Sequence, residues 1–217
     1  MKTKDIAQLL AEAEKNIQLD DAKQYSAFLT YKYLGQEGVT EALFEYGRIL
    51  KFGWLGNVDE KKAFSVCQKG AVRGEIMCQW MLANCYEEGC GVEKDEKKAF
   101  FWMKESADGN NPFALSDLSL YYHDGIGTEK DLKKAFQIAK EIADNDSCSS
   151  AQAQNNVAFA YLAGEGVEQN YDKAKQYFIR AINSGCQGQY YRDSTIEGAR
   201  NGNPDDIKML ELCGIGY

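Results

Sequence analysis

The sequence predicts an all-α chain: a right-handed α/α solenoid of about five helix-turn-helix repeats with a C-terminal capping helix. Three observations predict this fold. An Ala-Phe dipeptide recurs with a period of 36 residues, beginning at Ala63, Ala99 and Ala135. A Gly-x-Gly turn precedes the dipeptide in the clearest copies, and apolar residues on both sides of the turn recur at helical spacing.

The period extends well beyond the dipeptide. The segment GVEKDEKKAF at 91–100 aligns with GTEKDLKKAF at 127–136 and with GVEQNYDKAK at 166–175. The last step is 39 residues long, and its three extra residues fall in the polar stretch 144–150, which has the composition of a loop. The shared register predicts one helix pair per period, because such pairs bury their apolar faces only by stacking.

The register divides the chain into repeats. Residues 1–40 form a degenerate first copy with Ala27-Phe28 at the dipeptide position, and residues 187–217 form a C-terminal capping segment. Between them lie the repeats 41–76, 77–111, 112–150 and 151–186. In the 41–76 copy Leu55 stands at the position of the second turn glycine, which predicts a turn of different shape.

Each second helix carries apolar or small residues at every fourth position, the pattern of an amphipathic helix. These stripes are Ala63/Cys67/Ala71, Ala99/Met103/Ala107, Ala135/Ala139/Ala143 and Ala174/Phe178/Ile182. We also expect Phe101 and Trp102 of one second helix in the core. The residue four places before each leading alanine suits an N-cap, because its side chain can accept from free helix N–H groups. The four residues are Asp59, Asp95, Asp131 and Asn170.

Each first helix carries a shorter stripe that ends in an aromatic residue. The stripes are Leu82/Ala83/Tyr86, Leu118/Ser119/Tyr122 and Val157/Ala158/Tyr161. The turn glycines that follow supply positive φ where the first helix ends and the chain reverses. They are Gly89/Gly91, Gly125/Gly127 and Gly164/Gly166. At the C-terminus, Asn203-Pro204 before two aspartates predicts the start of a last helix that runs through Cys213.

The composition argues against several classes of partner. The chain has 25 Lys and Arg against 33 Asp and Glu, a formal net charge of -8, and no run of five basic residues. We therefore expect neither a nucleic acid nor a membrane as partner. No stretch approaches the roughly 20 apolar residues of a membrane-spanning helix, and the N-terminal residues lack the apolar core of a signal peptide. We expect a cytoplasmic protein, or a secreted or periplasmic one if a leader has been removed.

The seven cysteines are predicted to be reduced thiols, because their number is odd and no C-x-x-C pair occurs among them. Free cysteine commonly packs as a small apolar residue. We therefore expect no metal and no other cofactor.

The sequence offers few catalytic candidates. Its one histidine, His123, ends a first helix and precedes Asp124. No serine or cysteine is placed by a local motif to act with it, and the Gly-x-Gly turns lack the preceding strand of a phosphate-binding loop. We predict that the chain is not an enzyme; a hydrolase that uses His123 and a nearby acid is the alternative.

The segment from Cys78 to Gly109 resembles the Sel1-like repeat, a relative of the tetratricopeptide repeat. It contains, in order, Leu, a small residue, Tyr, Gly-x-Gly-Val, Asp, Lys-Ala-Phe, Trp, Ala and Gly. The resemblance covers residues 41–186 well and 5–40 faintly, and it implies an adaptor or scaffold that binds proteins. It also implies two alternatives, a bacterial immunity or host-interaction protein and a weak hydrolase of penicillin-like compounds. The hydrolase branch has a regular cysteine pair in every repeat, which is missing here.

By analogy with tetratricopeptide repeats, the first helices line the concave side of the solenoid. The groove candidates are Phe44, Arg48, Trp80, Asn84, Ser116, Leu120, Asn155 and Phe159, with Glu87 and His123 near the rim. Aromatic anchors beside an arginine and amides suit a peptide or folded protein partner. The alternative is that Phe44, Trp80 and Phe159 pack between repeats. A self-associating structural role is a third reading, and the sequence favours no oligomeric state.

Overall fold

The computed structural model describes residues 3–18, 21–53, 58–144, 150–184 and 188–217. Across these ranges it contains twelve α-helices and no β-strand. The helices are α1 (Thr3–Asn16), α2 (Asp21–Gln36), α3 (Thr40–Phe52), α4 (Glu60–Val72), α5 (Ile76–Glu88), α6 (Glu96–Asp108), α7 (Pro112–Asp124), α8 (Leu132–Ala143), α9 (Ser150–Ala163), α10 (Tyr171–Asn183), α11 (Gly188–Arg200) and α12 (Pro204–Cys213). They form two compact units, Met1–Asn111 and Pro112–Tyr217.

In the first unit each helix packs against the next one along the chain, and α3 also contacts α5. Its largest fully buried side chains include Tyr31, Leu34, Leu82 and Met103. Tyr31 and Leu34 lie on α2, and Leu82 and Met103 lie on α5 and α6, while α4 contributes the fully buried Cys67. Each helix pair of this unit therefore supplies part of one core.

In the second unit the same succession runs from α7 to α12, and α9 also contacts α11 and α12. Val157, Phe178, Met209 and Leu210 are completely buried in its core. The sequence predicted a single capping helix in residues 187–217, whereas the structure contains two, α11 and α12.

The predicted stripes of the second helices lie in the core. Their leading alanines are each at most 5% exposed: Ala63, Ala99, Ala135 and Ala174. The prediction for Phe101 is wrong, because this side chain is 53% exposed. Two residues after Ala99, it lies on the opposite face of α6, where its ring packs edge-on against Trp102 with centroids 5.1 Å apart.

The predicted N-caps hold the starts of the second helices. Each side-chain oxygen accepts a hydrogen bond of 2.9 to 3.0 Å from the N–H three residues further on: Asp59 from Lys62, Asp95 from Lys98, Asp131 from Lys134 and Asn170 from Lys173. The last helix also begins as predicted, with Asn203 accepting from the N–H of Asp205 at 3.0 Å. Capping thus fixes the helix starts at the residues that the register indicates.

The two glycines have different roles in the Gly89–Gly91 and Gly164–Gly166 turns. Gly89, at φ 80°, ends α5 in the left-handed conformation. The second glycine lies against the first residue of the preceding second helix: a Cβ on Gly91 would overlap the carbonyl of Glu60, and one on Gly166 that of Leu132. This second position therefore packs one repeat closely against its predecessor, which the sequence did not reveal.

Some sequence predictions lie outside the described residues, namely the loop insertion at 145–149, which includes Cys148, the turn at Leu55 and the environment of Cys186. The five described cysteines are free, as predicted: Cys67, Cys78, Cys85, Cys90 and Cys213. Among the helices of the described ranges, none has the length and apolarity needed to span a membrane.

Candidate partner-binding site

The second unit contains a pocket of about 210 Å³ between α7 and α9, above α8. Three predicted groove or rim residues line it: Leu120 and His123 from α7, and Phe159 from α9. The remaining lining residues are Ser119, Leu132, Ala135, Phe136, Ala139, Asn156, Ala160 and Glu165. The structure therefore brings side chains of two first helices, α7 and α9, together around one recess.

The walls of this pocket are apolar and firmly held. The ring of Phe159 meets Phe178 edge-on, with centroids 6.3 Å apart, and Phe136 meets Tyr161 edge-on at 5.2 Å. Edge-to-face pairs at these distances are favourable and restrict ring motion. Leu120 is 38% exposed and leaves part of its apolar surface uncovered at the pocket.

The rim of the pocket carries charge. His123 Nδ1 lies 2.6 Å from Asp124 Oδ1, and His123 Nε2 lies 3.2 Å from Glu165 Oε2 in the turn after α9. The hydrogen bond to Asp124 is the largest cause that raises the pKa of His123 above its ordinary 6.5. The bond to Glu165 adds to this effect and burial opposes it. The rim therefore favours a protonated imidazole held between two carboxylates.

The polar groups of the pocket are arranged for structure more than for catalysis. Ser119 is buried, and its hydroxyl donates to the carbonyl of Ala135 at 3.0 Å. Both ring nitrogens of His123 already face carboxylates, so neither is placed to activate that hydroxyl. Within the described part of the chain, no group of three or more His, Cys, Asp or Glu side chains is arranged to hold a metal ion.

Two predicted groove residues of this unit are not pocket-lining. Ser116 of α7 and Asn155 of α9 are half-buried. The Oδ1 atom of Asn155 is buried and accepts no hydrogen bond from the described residues.

In the first unit the predicted groove residues lie on α3 and α5 and are all half-buried: Phe44, Arg48, Trp80, Asn84 and Glu87. Arg48 contacts Glu45, with its Nε 3.1 Å from Glu45 Oε2. Lys51 connects the same two helices, with its Nζ 2.8 Å from Glu88 Oε2.

The face between α3 and α5 is filled at the register positions that form the pocket in the second unit. Cys67, Met81, Cys85 and Cys90 form a buried cluster there, with Phe44 packed against it. In the repeat register, the pocket residues Ala139, Asn156, Ala160 and Glu165 stand at the positions of Cys67, Met81, Cys85 and Cys90. Smaller or more polar side chains thus account for the pocket. Phe44 packs against this buried cluster, and Phe159 packs against the core of the second unit.

The sequence did not identify several contributors to the pocket, among them Phe136, Asn156 and Glu165. A signal existed for Glu165, which occupies the middle of the Gly164–Gly166 turn where the other copies have Cys90 and Ile126. A carboxylate at an otherwise apolar turn position indicates a local polar role.

A family model described as Sel1 repeat matches residues 40–70, 76–111, 112–147 and 151–186. The chain belongs to the Sel1 repeat family. A search of curated proteins finds no match. The predicted α/α solenoid class is confirmed, because this Sel1 repeat chain is all-helical in its described ranges, has consecutive helices in contact within each unit, and aligns with solved Sel1 repeat structures.

Three solved structures illustrate the similarity. A Sel1 repeat protein from Oxalobacter formigenes is 21% identical, with a TM-score of 0.76 over 96% of this chain and 85% of that one. The protective antigen c5321 of uropathogenic Escherichia coli strains is 19% identical, with a TM-score of 0.71, and this chain covers half of its length. The immunity protein Pa5087 from Pseudomonas aeruginosa is 19% identical, with a TM-score of 0.57 over 99% of this chain and 80% of that one. With sequence identities this low, the structural similarity shows a shared fold alone.

Proposed function

We propose that this Sel1 repeat chain is a non-catalytic adaptor that binds a peptide or a folded protein on the faces of its first helices. Sel1 repeats generally mediate protein–protein interaction, which supports this class of function. The observation that carries the proposal is the pocket between α7 and α9, where Leu120 is exposed beside Phe136 and Phe159.

The chemistry of the pocket suits one apolar side chain of a partner. Rigid aromatic walls offer contact area, and a recess of about 210 Å³ can exclude water around an inserted side chain. Asn156 and Glu165 on its lining can accept hydrogen bonds from the main chain that carries this anchor. An apolar centre with a polar rim is the usual anatomy of a protein-binding surface.

The face between α3 and α5 is the second surface of this proposal. Arg48, Trp80 and Asn84 supply a cation, a large ring and an amide, the side chains that are frequent at binding hot spots or pair with main-chain groups. We assign this activity to a reducing, cytoplasmic compartment, which the five free cysteines support.

The test is capture of partners from a lysate by the intact chain and by Leu120→Glu. Leu29→Glu is the matched control, because Leu29 is also exposed, at 44%, and lies on α2, which contributes no residue to either proposed surface. We expect Leu120→Glu to lose a partner that Leu29→Glu retains, with both variants as helical as the parent. Retention by Leu120→Glu, or equal loss in the control, would contradict the pocket as the binding surface.

The α3–α5 surface is tested in the same assay with Trp80→Ala and Arg48→Glu. We expect partner capture to fail while helicity and the melting temperature change little. Loss of the fold in both variants would instead assign these side chains to packing.

A narrower candidate is an immunity-type role, in which the chain occludes a basic target protein. The formal net charge of -8 favours a basic partner, and one solved structure of the same fold is an immunity protein. Capture of one basic protein whose activity is blocked by the purified chain, with affinity that falls as salt increases, would support it. Capture that does not respond to salt would argue against it.

A further inference from the structure

A second recess lies on the opposite set of helices in the first unit, between α2 and α4. Its volume is about 780 Å³, and its lining shares no residue with the surfaces described above. Lys32, Gly35 and Gln36 of α2 form one side, Leu43 and Tyr46 of α3 the floor, and Lys62, Ser65, Val66, Lys69 and Arg73 of α4 and its C-cap the other side. We call this recess the α2–α4 groove.

The α2–α4 groove concentrates positive charge. Lys32, Lys62, Lys69 and Arg73 line it, and none of the Asp and Glu residues that the structure describes does. None of the four forms an ion pair with a residue that the structure describes, whereas other lysines of the chain do, such as Lys51 with Glu88 at 2.8 Å. In a chain with more acidic than basic residues, four unpaired cations around one recess are an unusual local arrangement.

The cations form a line. Lys62, Lys69 and Arg73 are separated by seven and four residues, so they share one face of α4 and extend over about 16 Å. Lys32 faces them across the groove from α2, 30 residues earlier in the chain. A ligand lying along the groove would meet positive charge on both sides.

The floor of the groove is apolar, with Leu43, Tyr46 and Val66 each less than 8% exposed. Gln36 and Ser65 add neutral donors and acceptors along the walls. Beside the groove, Val72 leaves 72% of its surface exposed and adjoins Lys69 and Arg73. The surface therefore offers apolar contact as well as charge.

We propose that the α2–α4 groove binds an acidic linear segment of a partner protein. Carboxylates of such a segment would pair with the row of cations on α4 and with Lys32 opposite, and an apolar side chain between them would contact the floor or Val72. A long nucleic acid suits the site less well, because the chain as a whole carries a formal charge of -8 and repels an extended polyanion. A short segment can stay within the reach of the groove.

The test uses the full chain and a short fluorescein-labelled peptide of glutamates around a central leucine, with anisotropy as the readout. The groove variant is Lys62→Glu with Lys69→Glu. The control is Lys61→Glu with Lys97→Glu, which changes the net charge equally at exposed positions of α4 and α6 outside the groove. Circular dichroism establishes that both variants keep the parent's helicity.

We expect the glutamate peptide to bind the parent and the control with similar affinity. Its affinity for the groove variant should be lower by a factor of about ten or more. Raising NaCl from about 50 mM to about 500 mM should weaken the parent's binding, because exposed charge pairs are screened. A peptide with lysines in place of glutamates should not bind.

Three results would overturn the proposal. The first is absence of glutamate-peptide binding at low salt. The second is an equal loss in the groove variant and the control, which would reflect net charge alone. The third is groove-dependent binding of a single-stranded oligonucleotide or of anionic lipid vesicles without binding of the peptide.

Discussion

His123 at the end of α7 and Glu165 after α9 face each other across the mouth of the pocket, with Nε2 and Oε2 3.2 Å apart. The two residues are 42 positions apart in the chain and belong to successive repeats. Because Asp124 holds the other ring nitrogen, the imidazole has a defined orientation. The protonation state of His123 therefore affects the charge at the rim of the proposed binding surface, through the contact between His123 and Glu165.

The first prediction concerns the titration of His123. It is the only histidine of the chain, so its imidazole resonance in proton NMR needs no assignment. We expect a midpoint above 6.5 in the parent chain, a drop in Asp124→Asn, and a smaller drop in Glu165→Gln, because the bond to Asp124 has the larger effect. A parent midpoint at or below 6.5 would show that the bridge is not formed in solution.

The second prediction concerns stability as a function of pH. A pKa that is raised on folding means that the native state holds the proton more tightly. The resulting stabilisation is fully present below about 6.5, the value expected in the unfolded chain, and is lost as the pH rises through the folded pKa. Glu165→Gln should thus be less stable than the parent at acid pH and nearly equal to it at alkaline pH.

This difference should be small, about 0.2 to 1 kcal/mol, because the side chains of His123 and Glu165 are 40% and 50% exposed. Urea unfolding at pH 5.5 and 9 measures it. Glu129→Gln is the control, since Glu129 is exposed and forms no ion pair within the described residues. A deficit that is the same at both pH values, or one shared by the control, would contradict the prediction.

The third prediction separates the two costs of a side chain at a turn glycine. Gly74, at φ +86°, has open space around a Cβ, so Gly74→Ala should cost about 1 to 2 kcal/mol from backbone strain alone. Gly91→Ala and Gly166→Ala, at φ +71° and +72°, add overlap with the backbone of Glu60 and Leu132. We expect a further loss of about 1 to 3 kcal/mol in urea unfolding. Equal losses at the three positions would mean that the close approach is not real.

The fourth prediction concerns the cap of α8. Asp131 accepts a hydrogen bond from the N–H of Lys134 at 3.0 Å. Asp131→Ala should lower the free energy of unfolding by about 1 kcal/mol, whereas Asp131→Asn retains the acceptor and should lower it much less. Thermal or urea unfolding of both variants measures the difference. The same loss in Asn and Ala would show that the oxygen is not what stabilises this helix start.

The fifth prediction concerns thiol reactivity. Burial raises the pKa of Cys85 to about 12. The hydrogen bond to Cys67, followed by burial, raises the pKa of Cys78 as well. Because the thiolate is the reactive form, iodoacetamide should modify the partly exposed Cys213 of the native chain before Cys67, Cys78 or Cys85. Peptide mass spectrometry before and after unfolding measures the order, and early modification of Cys85 would contradict the packing of its cluster.

Local chemistry made much of the fold predictable. Asp95 and Asn170 predict helix starts because their side-chain oxygens can act as N-caps, and the leading alanines predict which face of each second helix is buried. The prediction of a buried Phe101 was wrong because it relied on the aromatic character of Phe101 and Trp102. The helical period instead places Phe101 on the exposed face of α6.

The candidate surfaces were less predictable, because they depend on the volume or charge that distant residues bring together. Ala139 and Ala160 look like ordinary packing residues until the register sets them beside Cys67 and Cys85. Lys32 and Lys62 each resemble a solvated lysine, and only the stacking of α2 near α4 makes them two sides of one groove. The repeat pattern predicts which helix a residue belongs to, but not what faces it from the next one.

The sulphur-rich packing between α3 and α5 occupies the register positions at which the second unit has its recess. Replacing the thiol group by hydrogen at Cys67 and Cys85 would give alanine at both positions, as at Ala139 and Ala160 in the second unit. Point mutation at such positions can therefore open or fill a recess between helices, while helix lengths, caps and turns stay as they are.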